Sequence, residues 1–366
     1  DMDDGLRNAD AIFIAVGTPS RRGDGHADIR YVVDAAKTIS KKINKYVVIV
    51  IKSTVPVGTN RLIQNVINDE NPQGNFDIVS NPEFLREGAA INDFMKPDRI
   101  VIGTTSKKAE NILKEIYRPI LDQNYPILFT DFESAELIKY ASNSFLATKI
   151  TFINEIAALC EKVGGNISEV AYGMGLDDRI GNKFLQAGPG YGGSCFPKDT
   201  LALAKIGVDS GSPMRIVETV IQTNLDIKFR MLSKLRSLCD GSFKDKKIAI
   251  LGVTFKPETD DMREAPSITI IPNLLSEGAN VNVFCPAGFK EGEKLLGNVN
   301  WMFDAYNASK DCDLLVILTE WDEFRELDLK KLSSLMKLPI LADLRNIFTK
   351  EIAYSAGFTK YDGVGQ

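Results

Sequence analysis

Short apolar runs of β-branched residues, separated by amphipathic stretches, recur in both outer sections of this chain, and no feature narrows its fold more. "AIFIAV" (Ala11–Val16) and "YVVIVI" (Tyr46–Ile51) are continuous rather than alternating, as a strand covered on both faces requires. Between them, Asp28 to Lys42 reads as a helix with Ile29, Val32, Val33, Ala36 and Ile39 on its apolar face. A second helix follows "VPVGT", and "FDIVS" (Phe76–Ser80) and "RIVIG" (Arg99–Gly103) read as further strands. The rhythm restarts with "KIAILG" (Lys247–Gly252), "NVNVFCP", "CDLLVILT" and "PILADLRN". Strand, helix and strand in this order predict parallel βαβ sheets, an α/β fold with two doubly wound domains built on one plan.

The middle of the chain is helical. "TDFESAELIKYASNSFLATKITFINEIAALCEKVGG" opens with a capping box, Thr130 then Glu133, and closes on Gly164 and Gly165. From Asp131 to Val163 at ~1.5 Å per residue it makes a helix of ~50 Å, longer than one small core can cover. Such a helix ties domains or subunits together. More helix is expected from Asp199 to Cys239. The expected divisions are therefore 1–129, 130–240 and 241–366.

Composition removes several functions. A net charge of −5 over 366 residues argues against a nucleic-acid partner, which wants a basic face. No apolar run approaches the ~20 residues that span a bilayer, and no signal peptide is read, so no membrane partner is expected. The five cysteines (Cys160, Cys195, Cys239, Cys285, Cys312) form no CxxC, which fits neither a disulfide framework nor a zinc site and points to a reducing cytoplasm. His26, the single histidine, sits in the glycine-flanked "RRGDGHADI" and reads as loop surface. Acid–base work therefore falls to Lys, Asp, Glu or Cys, and no metal is expected.

In open α/β sheets, ligands sit beyond the carboxyl ends of the strands. Four such ends carry "AVGTP", "KSTVPVGT", "SNPEFLREG" and "GVTFKPETDDMR". Their hydroxyls and amides near helix starts suit phosphates, although each alone also reads as turn chemistry. "GPGYGGSCFPKD" (Gly188–Asp199) places Cys195 just before a helix whose first turn accepts Pro197. A thiol there meets the positive dipole end, which favours the thiolate and attack on a carbonyl. The glycines permit the backbone to wrap a ligand or a facing subunit. Lys139 and Asn143, four apart, share a helix face; they read equally as a surface polar pair. Glu83 and Glu87 have the same spacing and the same alternative, an ordinary helical pair.

Together "STVPVGT", "NPEFLREGAAINDFMKPDRIVIG", "ELIKYASNSFLATKITFINE", "RIGNKFLQAGPGYGGSCFPKDT", "GVTFKPETDDMREAPS" and "LTEWDEF" resemble the UDP-glucose 6-dehydrogenases of the UDP-glucose/GDP-mannose dehydrogenase family. The resemblance runs from about Ala9 to the C-terminus. It implies two Rossmann-like domains joined by a long central helix and a helical dimerisation region. It also implies cytoplasmic, NAD-dependent oxidation of UDP-glucose to UDP-glucuronate by a homodimer. By position, Cys195 resembles the nucleophile that holds the sugar as thiohemiacetal and then thioester. Lys139 and Asn143 resemble the pair that binds the reacting oxygen, Asp199 and Thr54 the holders of the catalytic water, and Glu83 the acid–base residue. Thr18, Thr54, Glu87, Lys198 and Arg263 are similar to cofactor-side residues. Phe84, Leu85, Tyr191, Gly192, Phe255, Lys256 and Arg345 are similar to substrate-binding ones, as are Glu83, Lys139 and Asn143. Arg179 resembles an arginine that reaches a sugar nucleotide across the dimer.

Three departures from the family pattern stand out. "FCP", with Cys285, replaces the family's "YDP", and "ADLRN" replaces "DGRN" before Arg345. The opening "DMDDGLRNAD" resembles a point beyond the family's first βαβ unit, with its GxGxxG turn and ribose-binding acid. The resemblance thus implies a chain that, as given, binds UDP-glucose better than NAD. Dehydrogenases of GDP-mannose or UDP-N-acetylhexosamines share the same plan. A non-catalytic sugar-nucleotide-binding fragment is the alternative outside the enzymes.

Overall fold

A computed structural model describes residues 5–6, 8–19, 21 and 27–366; His26 lies outside the described residues. Contacts divide the chain into two units, Asp1–Ser144 with Lys198–Arg215 and Phe145–Pro197 with Ile216–Gln366.

The first unit holds a sheet of β1 (Ala11–Ile14), β2 (Val47–Ile51), β3 (Phe76–Ser80), β4 (Ile100–Gly103) and β5 (Ile127–Thr130), paired in that order. The continuous run in β2 is explained by its two faces. Val47, Ile49 and Ile51 pack with Val32, Ala36 and Ile39 of α1 (Arg30–Ser40) and with Ile63 and Ile67 of α2 (Thr59–Glu70). Val48 and Val50 pack on the other side, against Leu113, Tyr117 and Ile120 of the later α4 (Lys107–Leu121). All five β2 residues are buried, so no position can be polar.

The βαβ rhythm predicts a wholly parallel sheet, and this one is not. β1, β2 and β3 run parallel, but β4 meets β3 antiparallel through the pair Ser80 and Gly103, and β5 is parallel to β4. The physical reason lies in the connection 81–99. Its helix, α3 (Ala90–Met95), has 6 residues, far short of the crossover that returns a chain for parallel pairing. The connection therefore stays at the carboxyl edge, and "NPEFLREG" stays with it. β5 also takes Thr130, the residue read as a helix cap. The carboxylate of Asp131 does the capping instead, accepting the Ser134 amide at 2.7 Å. Helix α5 then runs from Phe132 to Val163, 32 residues, or ~48 Å. It closes where the Gly164 and Gly165 amides donate to the Cys160 carbonyl.

The second unit carries helices α6 (Ile167–Gly175) and α8 (Arg215–Leu238), the latter following α7 (Phe196–Asp209). Its sheet comprises β6 (Lys247–Leu251), β7 (Asn280–Phe284), β8 (Asn300–Trp301), β9 (Leu314–Ile317), β10 (Ile340–Asp343) and β11 (Lys360–Gly363). The order is β11-β10-β9-β6-β7-β8, and every pairing is parallel. Chain order thus reverses direction between β6 and β9, the switch point at which doubly wound sheets open a crevice for ligands. This sheet has the Rossmann-like order that the sequence rhythm implies. Its strands β6 and β9 are sheathed on both sides within one continuous apolar core.

Candidate active site

In the first unit the carboxyl ends of β2 and β3 meet the first half of α5. Lys139, 3% exposed, donates from Nζ to the Glu83 carbonyl at 2.7 Å and to Glu83 Oε1 at 3.2 Å. Glu83 Oε2 accepts the Leu85 amide at 2.5 Å, so the carboxylate is aimed by its own loop. Glu83 and Glu87 are not on a helix, because this stretch follows β3 as irregular backbone and turn. The Phe84 ring lies under the Arg99 guanidinium, 3.6 Å from its carbon, and 5.3 Å from Lys139 Nζ.

One turn along α5, Asn143 donates to Asp199 Oδ2 at 2.6 Å, and Lys198 Nζ donates to Asp199 Oδ1 at 2.6 Å. Asp199 is 1% exposed, so both its oxygens have donors, as a buried carboxylate requires. Tyr140, between the two groups, is wholly buried, and its hydroxyl has no hydrogen-bond partner among the described residues. Burial, with the charges of Asp199 and Glu136 added, pushes that phenol's pKa up.

The loop "KSTVPVGT" corrects one expectation. Its helix start does not present free amides to a phosphate, because Glu136 of α5 already occupies it. That carboxylate accepts from the amides of Gly58 at 2.6 Å and Asn60 at 2.8 Å, and from Asn60 Nδ2 at 2.6 Å. Burial pushes its pKa up against these bonds. A protein carboxylate fills the anion site that a helix N-terminus makes, and so ties the entry of α2 to the helix that carries Lys139 and Asn143. Nearer the sheet, Thr18 Oγ1 donates to the Thr54 carbonyl at 2.7 Å, joining the loops after β1 and β2. Space is open where a side chain on neighbouring Gly17 would stand. Polar groups and open backbone at adjacent parallel strand ends are where such sheets bind ligands.

In the second unit the glycines of "GPGYGG" serve close packing rather than a loose backbone. A Cβ on Gly192 would lie 2.5 Å from the Glu264 carbonyl oxygen. Gly193 has φ +84 and would meet the Phe255 ring at 2.7 Å. The segment is buttoned down by buried amides. Asn154 Oδ1 accepts from Gly188, Asn224 brackets the Tyr191 amide and carbonyl, and the Arg263 carbonyl accepts from Gly193 at 2.7 Å. Although the letters read G-x-G-x-x-G, the element immediately before them is the helix α6 and not a strand, so they lack the context of a dinucleotide fingerprint. Cys195 follows after Ser194, immediately before the start of α7. It is the partly exposed cysteine; the other four are buried. Burial pushes Cys239 up to about 11 and Cys312 up to about 12, which keeps those thiols inert.

The switch point of the second sheet is bridged by Arg345. Its Nε donates to the Leu318 carbonyl at 2.9 Å and lies 3.0 Å from Glu320 Oε2, while Nη2 donates to the Phe255 carbonyl at 3.3 Å. The ends of β6 and β9 are thus tied by one guanidinium, with Lys256 Nζ 5.4 Å from the Phe255 ring centroid. Asp343, wholly buried behind Arg345, is pushed up to about 6 by burial despite accepting the Arg345 and Phe348 amides. Two arginines lie apart from this group. Arg263 pairs with Asp261 at 2.8 Å, and Arg179, its side chain 89% exposed, pairs with Asp177 at 2.6 Å.

Sequence reasoning passed over Glu136, Lys52, Arg99 and Asn224. Glu136 was within reach, since it precedes Lys139 by three and shares its helix face. Lys52 stood inside the quoted loop.

The comparisons with known proteins agree with this architecture. Models of the UDP-glucose/GDP-mannose dehydrogenase family match in chain order: the NAD binding domain over residues 1–121, the central domain over 133–226 and the UDP binding domain over 249–350. Such a chain is an NAD-dependent oxidoreductase of sugar nucleotides. It belongs to the UDP-glucose/GDP-mannose dehydrogenase family. It is 51% identical to a UDP-glucose 6-dehydrogenase of Rhizobium meliloti over 368 aligned positions, covering 100% of this chain and 84% of that one. It is 48% identical to UDP-glucose 6-dehydrogenase TuaD of Bacillus subtilis, covering 100% and 78%. The solved UDP-glucose dehydrogenase of Pyrobaculum islandicum superposes with a TM-score of 0.90 at 36% identity, covering 100% of this chain and 82% of that one. No helix among the described residues is long and apolar enough to cross a membrane.

Proposed function

We propose that the chain oxidises the C6 alcohol of UDP-glucose to the carboxylate of UDP-glucuronate in two steps joined by a covalent bond to Cys195. The reading is supported above all by the partly exposed thiol set directly before α7, with the doubly bonded Asp199 in that helix's first turn. NAD, when bound, supplies the hydride acceptor for both oxidations.

The alcohol's O–H proton passes to the water held by Asp199 and Thr54 while Lys139 and Asn143 donate to the reacting oxygen, and Lys139 steadies the alkoxide charge. The Cys195 thiolate adds to the aldehyde carbon, and the thiohemiacetal so formed is oxidised to a thioester. Water held by Asp199 and Thr54 gives a proton to Glu83 as it attacks. The C–S bond breaks, the thiol is regenerated and the acid leaves. Thr18, Glu87, Lys198 and Arg263 serve the cofactor. Phe84, Leu85, Tyr191, Gly192, Phe255, Lys256 and Arg345 serve the sugar nucleotide. Functional sections 1–129, 130–240 and 241–366 divide these tasks, and five free cysteines suit a reducing cytoplasm.

A thiol trap is useful only if the aldehyde never escapes. Each UDP-glucose consumed should therefore yield two NADH and no free aldehyde, counted by absorbance against sugar loss. One NADH per sugar would mean a simple alcohol dehydrogenase, and equal turnover of GDP-mannose would overturn the choice of sugar.

The working form is a homodimer. Phe145, Phe152 and Leu159 recur every seven residues along α5, with Val163 one turn on, and they are 66%, 47%, 55% and 70% exposed. Such a stripe on one helix face matches a helical partner, and Arg179, exposed beside Asp177, serves the sugar held by the second copy. Light scattering should give twice the chain mass at micromolar concentration, and Phe152→Asp should halve it. A monomeric parent protein would end this reading.

A further inference from the structure

Lys52 is the first residue beyond β2, and its amide donates to the Ile14 carbonyl at 2.9 Å, so its direction is set by the sheet. Its Nζ donates to Asn81 Oδ1 at 3.2 Å and to the Tyr117 hydroxyl oxygen at 3.4 Å, while Tyr117 donates to the same Asn81 oxygen at 2.5 Å. The rings of Phe94 and Tyr117 stand 6.0 and 5.9 Å from Nζ. Among the described residues no carboxylate pairs with it. The nearest charges are Glu83, which attracts it, and Lys139, which repels it. Glu83 is already bonded to Lys139 at 3.2 Å, so two ammonium groups act on one carboxylate beyond the ends of β2 and β3. Two like charges sharing one counter-charge do not both stay ionised at equal cost.

We propose that Lys52 is a positioning residue for the Glu83–Lys139 pair: its proton is the one this cluster gives up, and its loss frees Glu83 to act as a base. The proposal rests on reading Glu83 as the acid–base residue. Burial is the largest influence on Lys52, ahead of Glu83 and Lys139, and carries its ammonium down to about 8; Tyr117, the other titratable neighbour, is pushed up to about 12 by burial and stays protonated. While Lys52 is charged, its attraction for the Glu83 carboxylate weakens that group as a base. Once neutral, Lys52 still donates within the Asn81–Tyr117 group, and only its charge is lost.

The test has two arms on the full chain. In the first, kcat for UDP-glucose oxidation is followed from pH 6.5 to 9. The parent enzyme should gain on the order of tenfold through pH 8. Lys52→Arg, which keeps the charge, and Lys52→Met, which removes it, should both lack that limb. In the second arm, the ε-carbon NMR signal of Lys52 in lysine-labelled protein should titrate near 8 and shift lower in Glu83→Gln, where the attraction is gone. A limb at pH 8 that survives in both variants overturns the proposal. So does a Lys52 midpoint above about 10, ordinary for lysine, or one that Glu83→Gln does not move. The NMR arm reads the coupling without catalysis. Full turnover in Glu83→Gln would instead overturn the acid–base reading, and the proposal with it.

Discussion

Cys195→Ala abolishes formation of the carboxylic acid, with a loss of at least about a thousandfold in turnover, while UDP-glucose binding stays within about threefold of the parent enzyme. The asymmetry is what makes the experiment decisive. The substitution removes one sulfur from a partly exposed position at the head of α7. The buried bonds that shape the neighbouring loop, from Asn154 to Gly188 and from Asn224 to Tyr191, remain. Without the thiol the first oxidation can still occur, but its aldehyde has no covalent anchor and no route to a thioester. Isothermal calorimetry and product analysis measure the two quantities separately. Half the parent rate in Cys195→Ala would remove the covalent pathway, and lost binding would make Cys195 a packing residue.

Much of this was legible in the sequence for a physical reason. A strand covered on both faces has no polar option, so β2 announced itself as "VVIVI". Cys195 stood out because glycines and Pro197 mark a helix start. The direction of β4 was not legible, because apolar periodicity is the same in a strand running either way; only the short α3 betrays the missing crossover. β8 and β11 were hidden by polar letters such as Asn300 and Asp362, and β5 by its junction with α5. Glu136 shares a helix face with Lys139, but what it holds, Gly58, is distant in sequence, as Tyr191 is from Asn224, so no local pattern could report either loop contact. Lys52 was visible but unremarked, since a lysine at a strand end ordinarily reaches water.

Lys139→Met should slow turnover by about a hundredfold to ten-thousandfold with little change in KM, because it removes charge where charge develops. Methionine keeps nearly the length of the stem, so the packing of α5 is retained and the ammonium alone is lost. That ammonium is 2.7 Å from the Glu83 carbonyl and 3.2 Å from its carboxylate, in a position 3% exposed, where water cannot substitute for it. In such surroundings a fixed positive group stabilises an alkoxide or oxyanion far more than it would in water. Lys139→Arg should rescue poorly, since a planar fork cannot occupy the place of a compact ammonium with both contacts kept. Both oxidations should suffer, so single-turnover traces should show a slow first hydride transfer rather than a stalled thioester. Asn143→Ala, by contrast, leaves the ammonium in place and takes one donor from Asp199, so its loss should fall on hydrolysis as well as oxidation. If Lys139→Met keeps a fast first step and stalls only at the thioester, the lysine serves the water side of the reaction and the oxyanion role belongs elsewhere.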